Sequence, residues 1–260
     1  MTPVFVLTLR SLVRGRRLLA VAVLLAIPAL IAVAYRVTAP YARLPNPGDH
    51  PFERSGLPFL AQLFDGLALP VLLPLAALVF ATSVLGGEVE DRTLLYLTLR
   101  PVSRLAVAVA KGLAAALVTL VLVETALALM YLIVAQGVAE SGMGLPGFGA
   151  ILLAGAAGSL AYCSLFLLLG LLAPRRALLV GFLYVLLWEG TAAGFSTGLA
   201  TLSVRRYVEG TLHAGLSSVG FAHLVWPADP GAATSAVVVG AIVVVGLALT
   251  TFRLRRMELP

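Results

Sequence analysis

Charged residues are scarce in this chain of 260 residues. Asp, Glu, Lys and Arg together make up 12% of the sequence, whereas soluble domains carry about 25%. Hydrophobic residues make up 60%, which is more apolar surface than a water-soluble core can use. The composition therefore excludes an ordinary soluble domain and indicates a protein of the lipid bilayer.

Cysteine and histidine are also scarce, and this limits the chemistry of the chain. The single cysteine, Cys163, cannot form an intrachain disulfide and is interpreted as a small packing residue in an apolar run. The histidines, His50, His213 and His223, lack the clustered spacing of metal ligands. We therefore expect no metal site, and no nucleophile–base pair predicts a catalytic centre.

A nucleotide-binding loop is absent as well. The sequence contains no G-x-x-x-x-G-K-[ST] pattern, and Lys111 lies in AVAKGLAA, which cannot cradle a phosphate. We therefore do not expect this chain to hydrolyse ATP. The net charge is +6, but no basic groove or base-stacking surface accompanies it, so nucleic acid is not an expected partner.

Long apolar runs are what the sequence has instead. A membrane helix needs about 20 mostly apolar residues. Pro28, Pro70 and Pro74 lie inside such runs, where neighbouring helices can satisfy the freed carbonyl groups. The sequence predicts an all-α polytopic membrane protein, residues 1–260 forming a single domain with six transmembrane helices. The predicted spans are 18–35, 66–86, 105–135, 148–173, 177–198 and 232–252.

The basic residues are distributed unevenly between the two sides of these spans. With a cytoplasmic N-terminus, thirteen bases fall on the cytoplasmic side and five on the other side. Because cytoplasmic segments carry the excess of Lys and Arg, this count predicts that both termini are cytoplasmic. The cytoplasmic bases are Arg10, Arg14, Arg16, Arg17, Arg92, Arg100, Arg104, Lys111, Arg175, Arg176, Arg253, Arg255 and Arg256; the outer ones are Arg36, Arg43, Arg54, Arg205 and Arg206.

The N-terminal residues MTPVFVLTLRSLVRGRR (1–17) combine an apolar face with a basic face. Phe5 and Leu9 share one side of a helical wheel, and Arg10 and Arg14 share another. This pattern is typical of a helix lying in the cytoplasmic membrane interface. An ordinary basic segment before the first span fits the same residues, and both interpretations stay open.

The densest charge of the chain lies in GGEVEDRTLLYLTLRPVSR, residues 86–104, between the second and third spans. Glu88, Glu90 and Asp91 would stand at a helix N-terminus, where the helix dipole favours acids. Leucines follow, and Ser103 is placed to cap the next helix. We expect a short amphipathic helix, which serves either as a solvated turn or as a docking surface for a soluble partner.

The segment GEVEDRTLLYLTLRPVSRLAVAVAKGL resembles the one that permeases of type-2 ATP-binding-cassette (ABC) exporters carry after their second span. The six-span layout and the basic C-terminus also agree with that family. The resemblance implies that residues 87–104, here named the coupling segment, form a coupling helix that docks on an ATPase subunit. It assigns this contact to Glu88, Glu90, Asp91, Arg92, Thr93, Leu94 and Leu95, with a second contact at Arg175 and Arg176.

The same resemblance implies the partners and cofactors. A separate nucleotide-binding ATPase subunit would hold ATP and Mg²⁺, and this chain would hold no cofactor. A second permease, either another copy or a related chain, would complete a dimer surrounded by membrane lipids. The implied function is export of an unidentified substrate across a prokaryotic plasma (inner) membrane, driven by the partner's ATP hydrolysis.

Two acids, Glu124 and Glu189, fall inside predicted spans. Each lies thirteen residues after a cytoplasmic base, Lys111 or Arg176, which is roughly 20 Å of helix. Carboxyl groups at such depth are costly, so both are candidates for the transport pathway. A hydrogen bond to a neighbouring helix also explains them. They leave two alternatives open: a proton-coupled secondary transporter that uses both acids, and an intramembrane enzyme.

Overall fold

A computed structural model describes residues 2–13, 16–38, 57–90, 103–135, 144–192, 197–217 and 230–256. Nearly all of these residues are helical, and none of the described residues lies in a strand. The predicted all-α class is thereby confirmed. Apolar runs fold as helices in a bilayer because a helix satisfies its own backbone hydrogen-bonding groups.

Ten α-helices are found in the described part of the chain, and two of them continue into π-helical stretches. Phe64–Leu72 is π-helical and joins α3 to α4, and Tyr184–Ala192 is π-helical and follows α7. A 3-10 turn, Pro174–Arg176, precedes α7. The helices are α1 (Thr2–Val13), α2 (Arg16–Thr38), α3 (Leu57–Leu63), α4 (Leu73–Glu90), α5 (Arg104–Ala135), α6 (Gly144–Leu172), α7 (Ala177–Leu183), α8 (Thr197–Ala200), α9 (Val204–Ser217) and α10 (Ala232–Arg256).

Among the described residues, five helices are long and apolar enough to cross a membrane, so the chain is a polytopic membrane protein. They match the first, second, third, fourth and sixth predicted spans. The fifth predicted span, 177–198, is described as α7 and its π-helical continuation to Ala192, and residues 193–196 lie outside the described part of the chain. The fifth crossing therefore stays a prediction. The five spans are Arg17–Thr38, Phe64–Gly87, Arg104–Val134, Gly147–Leu172 and Ala232–Arg256.

The helix α4 lies at the centre of the bundle, while α2 and α10 lie at its periphery. Of the apolar window in each span, 72% is buried in the α4 span and only 17% in α10. α4 packs against α6 and α5, and α6 also contacts α9 and α10. Apolar side chains such as Leu30 and Val237 are exposed on the outer helices, as expected for surfaces that contact lipid.

A close backbone crossing joins α4 to α6 at two glycines. A Cβ atom on Gly170 would come within 2.9 Å of the carbonyl oxygen of Thr82, and a Cβ on Gly86 would lie 3.1 Å from the Gly170 oxygen. Small residues permit such backbone approach between membrane helices. The crossing explains why Gly86 and Gly87 lie within a helix instead of ending it.

One end of the bundle collects many of the basic residues. α4 ends and α5 begins there, and the glycine crossing places the end of α6 beside them. α10 ends there too, since Leu247 packs on Gly112 of α5. The Arg36 side chain of α2 donates a hydrogen bond to the backbone oxygen of Val134 at the opposite end of the bundle, and this contact orients α2. We call the first end the basic end and the other the far end. The basic end carries Arg17, Arg104, Arg175, Arg176, Arg253, Arg255 and Arg256.

The N-terminal segment forms the helix α1, which packs against α5. Leu12 is buried and Phe5 and Leu9 are half-buried, so these three residues of the predicted apolar face turn toward the protein. Leu7 is 65% exposed and Arg10 is exposed. The helix itself is therefore found, while its position in a membrane interface stays a prediction.

The start of the coupling segment differs from the sequence-based expectation. Glu88 and Glu90 were expected at the N-terminus of a new helix, but they lie in α4, which the structure describes as far as Glu90. The helix continues because the close packing of Gly86 on α6 supports it past the glycine pair. Residues 91–102 lie outside the described part of the chain. Ser103 does cap α5, since its Oγ accepts a hydrogen bond from the Ala106 N–H at 3.2 Å.

Candidate functional site

The carboxyl group of Glu189 is enclosed by hydrogen-bond donors and is 0% exposed. Oε1 accepts hydrogen bonds from the Tyr184 hydroxyl at 2.6 Å and the Val204 N–H at 3.2 Å. Oε2 accepts them from the Ser203 hydroxyl at 2.5 Å and the Arg205 N–H at 3.2 Å. Each carboxyl oxygen thus accepts one hydrogen bond from a hydroxyl group and one from a backbone N–H, so the carboxyl group acts purely as an acceptor.

The π-helical backbone brings Tyr184 and Glu189 together. The two residues are the first and sixth of the stretch Tyr184–Ala192. In a π-helix the backbone pairs residues five apart, so positions 184 and 189 lie close to each other along the helix. The Tyr184 ring also packs edge-on against Phe166 of α6, with ring centroids 6.1 Å apart. The widened turn therefore holds Glu189 against a ring that is itself fixed by the core.

The same carboxyl group caps the helix α9. The first N–H groups of any α-helix lack partners within the helix, and the N-terminus carries a partial positive charge that favours anions. Glu189 accepts the amides of Val204 and Arg205, the first two residues of α9. The Glu189 side chain, which lies fourteen residues before Ser203 in the sequence, therefore fixes where α9 begins.

A second set of polar contacts extends from α9 to the other π-helical stretch. Arg205 donates through Nη2 to the backbone oxygen of Asp65 at 2.9 Å and forms an ion pair with Glu209. The Asp65 carboxyl Oδ2 lies 3.7 Å from His213 Nε2. The two π-helical stretches also contact each other. We name this whole cluster the polar junction; it comprises Asp65, Tyr184, Glu189, Ser203, Arg205, Glu209 and His213.

One buried polar atom of the polar junction, Asp65 Oδ1, has no hydrogen-bond partner among the described residues. Tyr162 on α6 is also fully buried, and its hydroxyl interacts with Glu189. A buried polar atom without a partner costs free energy. The junction is therefore less completely satisfied than the carboxyl group at its centre.

The helix α9 starts inside the bundle and runs toward the far end. A Cβ atom on Gly158 of α6 would lie 3.4 Å from Val208, and one on Gly215 would lie 2.6 Å from Ala150. Gly158 is eleven residues past Gly147, where the α6 span begins, so Val208, the fifth residue of α9, lies about 16 Å along that helix. Glu189 links the π-helical segment to the start of α9 through Ser203, Val204 and Arg205.

Glu124, the other predicted acid, lies in a different environment. It packs over Gly155 of α6, where a Cβ atom would come within 2.8 Å of its Oε1. Both carboxyl oxygens are buried and have no hydrogen-bond partner among the described residues. Gly155 and Tyr162 are seven residues apart on α6, about 10 Å of helix. The structure therefore separates Glu124 from the Glu189 network instead of pairing the two acids.

The predicted ATPase-coupling residues are only partly described. Glu88 and Glu90 end α4, and Arg175 and Arg176 are exposed in the 3-10 turn at the basic end. Asp91, Arg92, Thr93, Leu94 and Leu95 lie outside the described residues. Among the described residues, no three His, Cys, Asp or Glu side chains are grouped so that they could hold a metal ion. Cys163 is buried, and its Sγ donates to Thr119 Oγ1 at 3.4 Å.

Sequence reasoning selected Glu189 but missed its partners. Tyr184, Ser203 and Arg205 contribute to the polar junction, yet none of them stands in a recognised motif. Ser203 did carry a signal, because a serine directly before an amphipathic segment is typical of a helix N-cap. Tyr184 carried none, since its link to Glu189 depends on a π-helical turn that apolar periodicity does not predict.

The comparison with known families agrees with the helical architecture. A family model described as ABC-2 family transporter protein matches residues 16–188, from the start of α2 to the residue before Glu189. The match covers about two thirds of the 260 residues. Among curated proteins, none matches the chain. On the family match and the membrane helices it covers, the chain belongs to the ABC-2 family of transporter proteins.

Proposed function

We propose that this chain is the membrane-spanning permease subunit of an ABC exporter. A separate ATPase subunit would bind ATP and Mg²⁺, and the coupling segment would transmit its closure to the bundle. Family membership supports the transport role, and permeases of this family typically associate with an ATPase subunit and are not themselves catalytic. The exported substrate is not identified by any residue described above.

The family match over residues 16–188 is the observation that carries this proposal. Glu88 and Glu90 lie in α4 at the start of the coupling segment, and the resemblance assigns them to the contact with the ATPase subunit. A partner surface of opposite charge would attract this pair of acids. The exposed Arg175 and Arg176 would add a second contact at the same end.

The location of the basic end supports a topology for the complex. The bases gathered there favour the cytoplasmic side of a membrane. We therefore propose a prokaryotic inner-membrane protein with both termini and the coupling segment in the cytoplasm, and with α1 at the interface. Basic side chains at this end would meet anionic lipid headgroups.

The sixth crossing is proposed to be a broken helix. α7 and its π-helical continuation would rise from the basic end, and α9 would complete the passage to the far end. In transporters, irregular backbone at membrane depth is tolerated where it is buried in protein or lines a cavity. Glu189 would stabilise this break and hold α9 closed. With a second permease, the far ends of the two chains would form the exit side of the path.

Reversing the charge of the two glutamates tests the proposal. The double variant Glu88→Lys/Glu90→Lys should insert into the membrane normally, because both residues lie at the end of α4. It should lose co-purification with a co-expressed ATPase subunit, since the attraction at the docking site becomes repulsion. Reversal of the exposed Arg253 to Glu, also at the basic end, serves as a charge-reversal control outside the predicted contact. Full ATPase retention by the double variant would contradict the docking proposal.

One observation favours a second candidate, proton-coupled transport. Glu124 has two buried carboxyl oxygens without a hydrogen-bond partner among the described residues, and intramembrane acids of this kind occur in proton pathways. Reconstituted protein that transports under a pH gradient without ATP or an ATPase subunit would support this function. Loss of that activity in Glu124→Gln would then assign it to the acid.

A further inference from the structure

We infer that Lys111 is a positioning residue that clips α4 to α5, so that the helices on either side of the coupling segment move as one body. This inference rests on the proposed function. Lys111 is 1% exposed within the apolar helix α5. Its Nζ donates a hydrogen bond to the backbone oxygen of Val84 on α4 at 3.2 Å.

The clip lies close to the two points where the coupling segment joins the bundle. Val84 is six residues before Glu90, the end of α4, and Lys111 is seven residues after Arg104, the start of α5. These separations correspond to about 9 Å and about 10 Å of helix. The bond therefore closes the base of the hairpin formed by α4, the coupling segment and α5.

Stability alone does not account for a lysine at this position. A buried ammonium group is costly unless it is hydrogen-bonded. An apolar side chain at this position would not carry that cost of burial. A lysine adds direction, because its hydrogen bond to the Val84 carbonyl is lost when α4 slides past α5. An apolar side chain would tolerate such sliding.

The clip also connects the coupling segment to α6. Val84 stands between Thr82 and Gly86, the two residues of α4 that meet Gly170 at backbone distance. A displacement of the coupling segment would therefore move α4, α5 and α6 together. This arrangement would let a force applied at the membrane surface reach the centre of the bundle without loss between neighbouring helices.

A distance measurement between spin labels tests the clip in the complex with its ATPase. Labels are attached to cysteines at Val89 in α4 and Leu105 in α5, in a Cys163→Ala background. We expect one narrow distance distribution that is the same without nucleotide and with ATP and vanadate. Lys111→Met should lose the narrow peak, whereas Lys111→Arg should keep it because it retains a charged donor. Leu113→Met, on the 52% exposed face of α5, is the matched control.

Several outcomes would overturn the clip. A narrow, unshifted distribution in Lys111→Met would show that the bond does not set the distance between α4 and α5. A shift in the wild-type distribution on adding ATP and vanadate would show that the two helices separate during the cycle. The wild-type measurement decides the question even where Lys111→Met fails to insert. Failure of the wild-type chain to bind an ATPase would contradict the proposed function and not the clip. The clip would then be tested by comparing the nucleotide-free distances of the wild type and Lys111→Met.

Discussion

The basic end and the polar junction are held together by different kinds of contact. At the basic end, Gly86 and Gly170 bring two helix backbones into direct contact, and Lys111 bonds across to α4. At the polar junction, one carboxyl group accepts four hydrogen bonds. The first region depends on packing, and the second depends on a hydrogen-bond network around Glu189.

This difference indicates where the bundle can change shape. Close-packed backbones transmit displacement because they have no free volume to absorb it. Hydrogen bonds can be exchanged for bonds to water at modest net cost. The polar junction also contains a buried atom, Asp65 Oδ1, that has no hydrogen-bond partner in the described part of the chain. We therefore expect the basic end to move as a rigid body and the junction to open.

The largest effect is expected from adding one methyl group at the helix crossing. Gly170→Ala would place a Cβ atom 2.9 Å from the Thr82 carbonyl oxygen, and a backbone atom cannot turn aside as a side chain can. Overpacking of this kind costs about 1–3 kcal/mol. We expect a lower melting temperature in detergent and a lower yield of folded protein.

Gly240→Ala provides the control for that substitution. Gly240 is exposed on α10, and a Cβ atom there would meet nothing within 4 Å. The change should be neutral or slightly stabilising, by up to about 1 kcal/mol from helix propensity. Equal melting temperatures for Gly170→Ala and the wild type would show that the α4–α6 crossing is not rigid.

A comparable effect is expected at the polar junction. Glu189→Leu leaves the Val204 and Arg205 amides and two hydroxyl groups without their acceptor, and an unsatisfied buried group costs about 1–3 kcal/mol. Glu189→Gln keeps one acceptor oxygen, so it should lose less. We expect the order wild type, Gln, Leu in thermal stability, and faster limited proteolysis near residues 199–205 in the Leu variant.

Transport separates a structural role for Glu189 from a gating role. If Glu189 holds α9 closed, the Gln variant should insert and bind the ATPase normally while ATP hydrolysis becomes less dependent on transported substrate. Matching transport in wild type, Glu189→Gln and Glu189→Leu would exclude the gating role. If the variants lose stability while the dependence of ATP hydrolysis on transported substrate does not change, Glu189 acts only as a cap of α9.

The sequence predicted five spans closely because each is a continuous apolar run, and such a run has few other ways to fold. It also predicted the Ser103 cap, which is a local interaction. It missed the extension of α4 to Glu90, because the packing of Gly86 on Gly170 joins residues far apart in the chain. Glycine in isolation favours a helix end, and only the neighbouring helix reverses that preference.

The polar junction was predictable only in part. Glu189 stood out as an acid in an apolar run, since such residues are rare in membrane segments. Its surroundings depend on a π-helical turn at Tyr184 and on α9 folding back against α6. Neither feature leaves a periodic pattern of apolar residues. For the same reason the fifth span was predicted without the π-helical turn that holds Glu189.

Hydrogen–deuterium exchange of the complex with its ATPase tests most directly whether the junction opens while the basic end stays rigid. The amides of Val204 and Arg205 report the junction, because Glu189 accepts both. Residues 80–86 of α4 report the basic end. Adding ATP and vanadate should speed exchange at Val204 and Arg205 by about tenfold or more, which corresponds to about 1.4 kcal/mol of lost protection, and leave residues 80–86 unchanged. Faster exchange at residues 80–86 with unchanged protection of Val204 and Arg205 would contradict this division of the bundle.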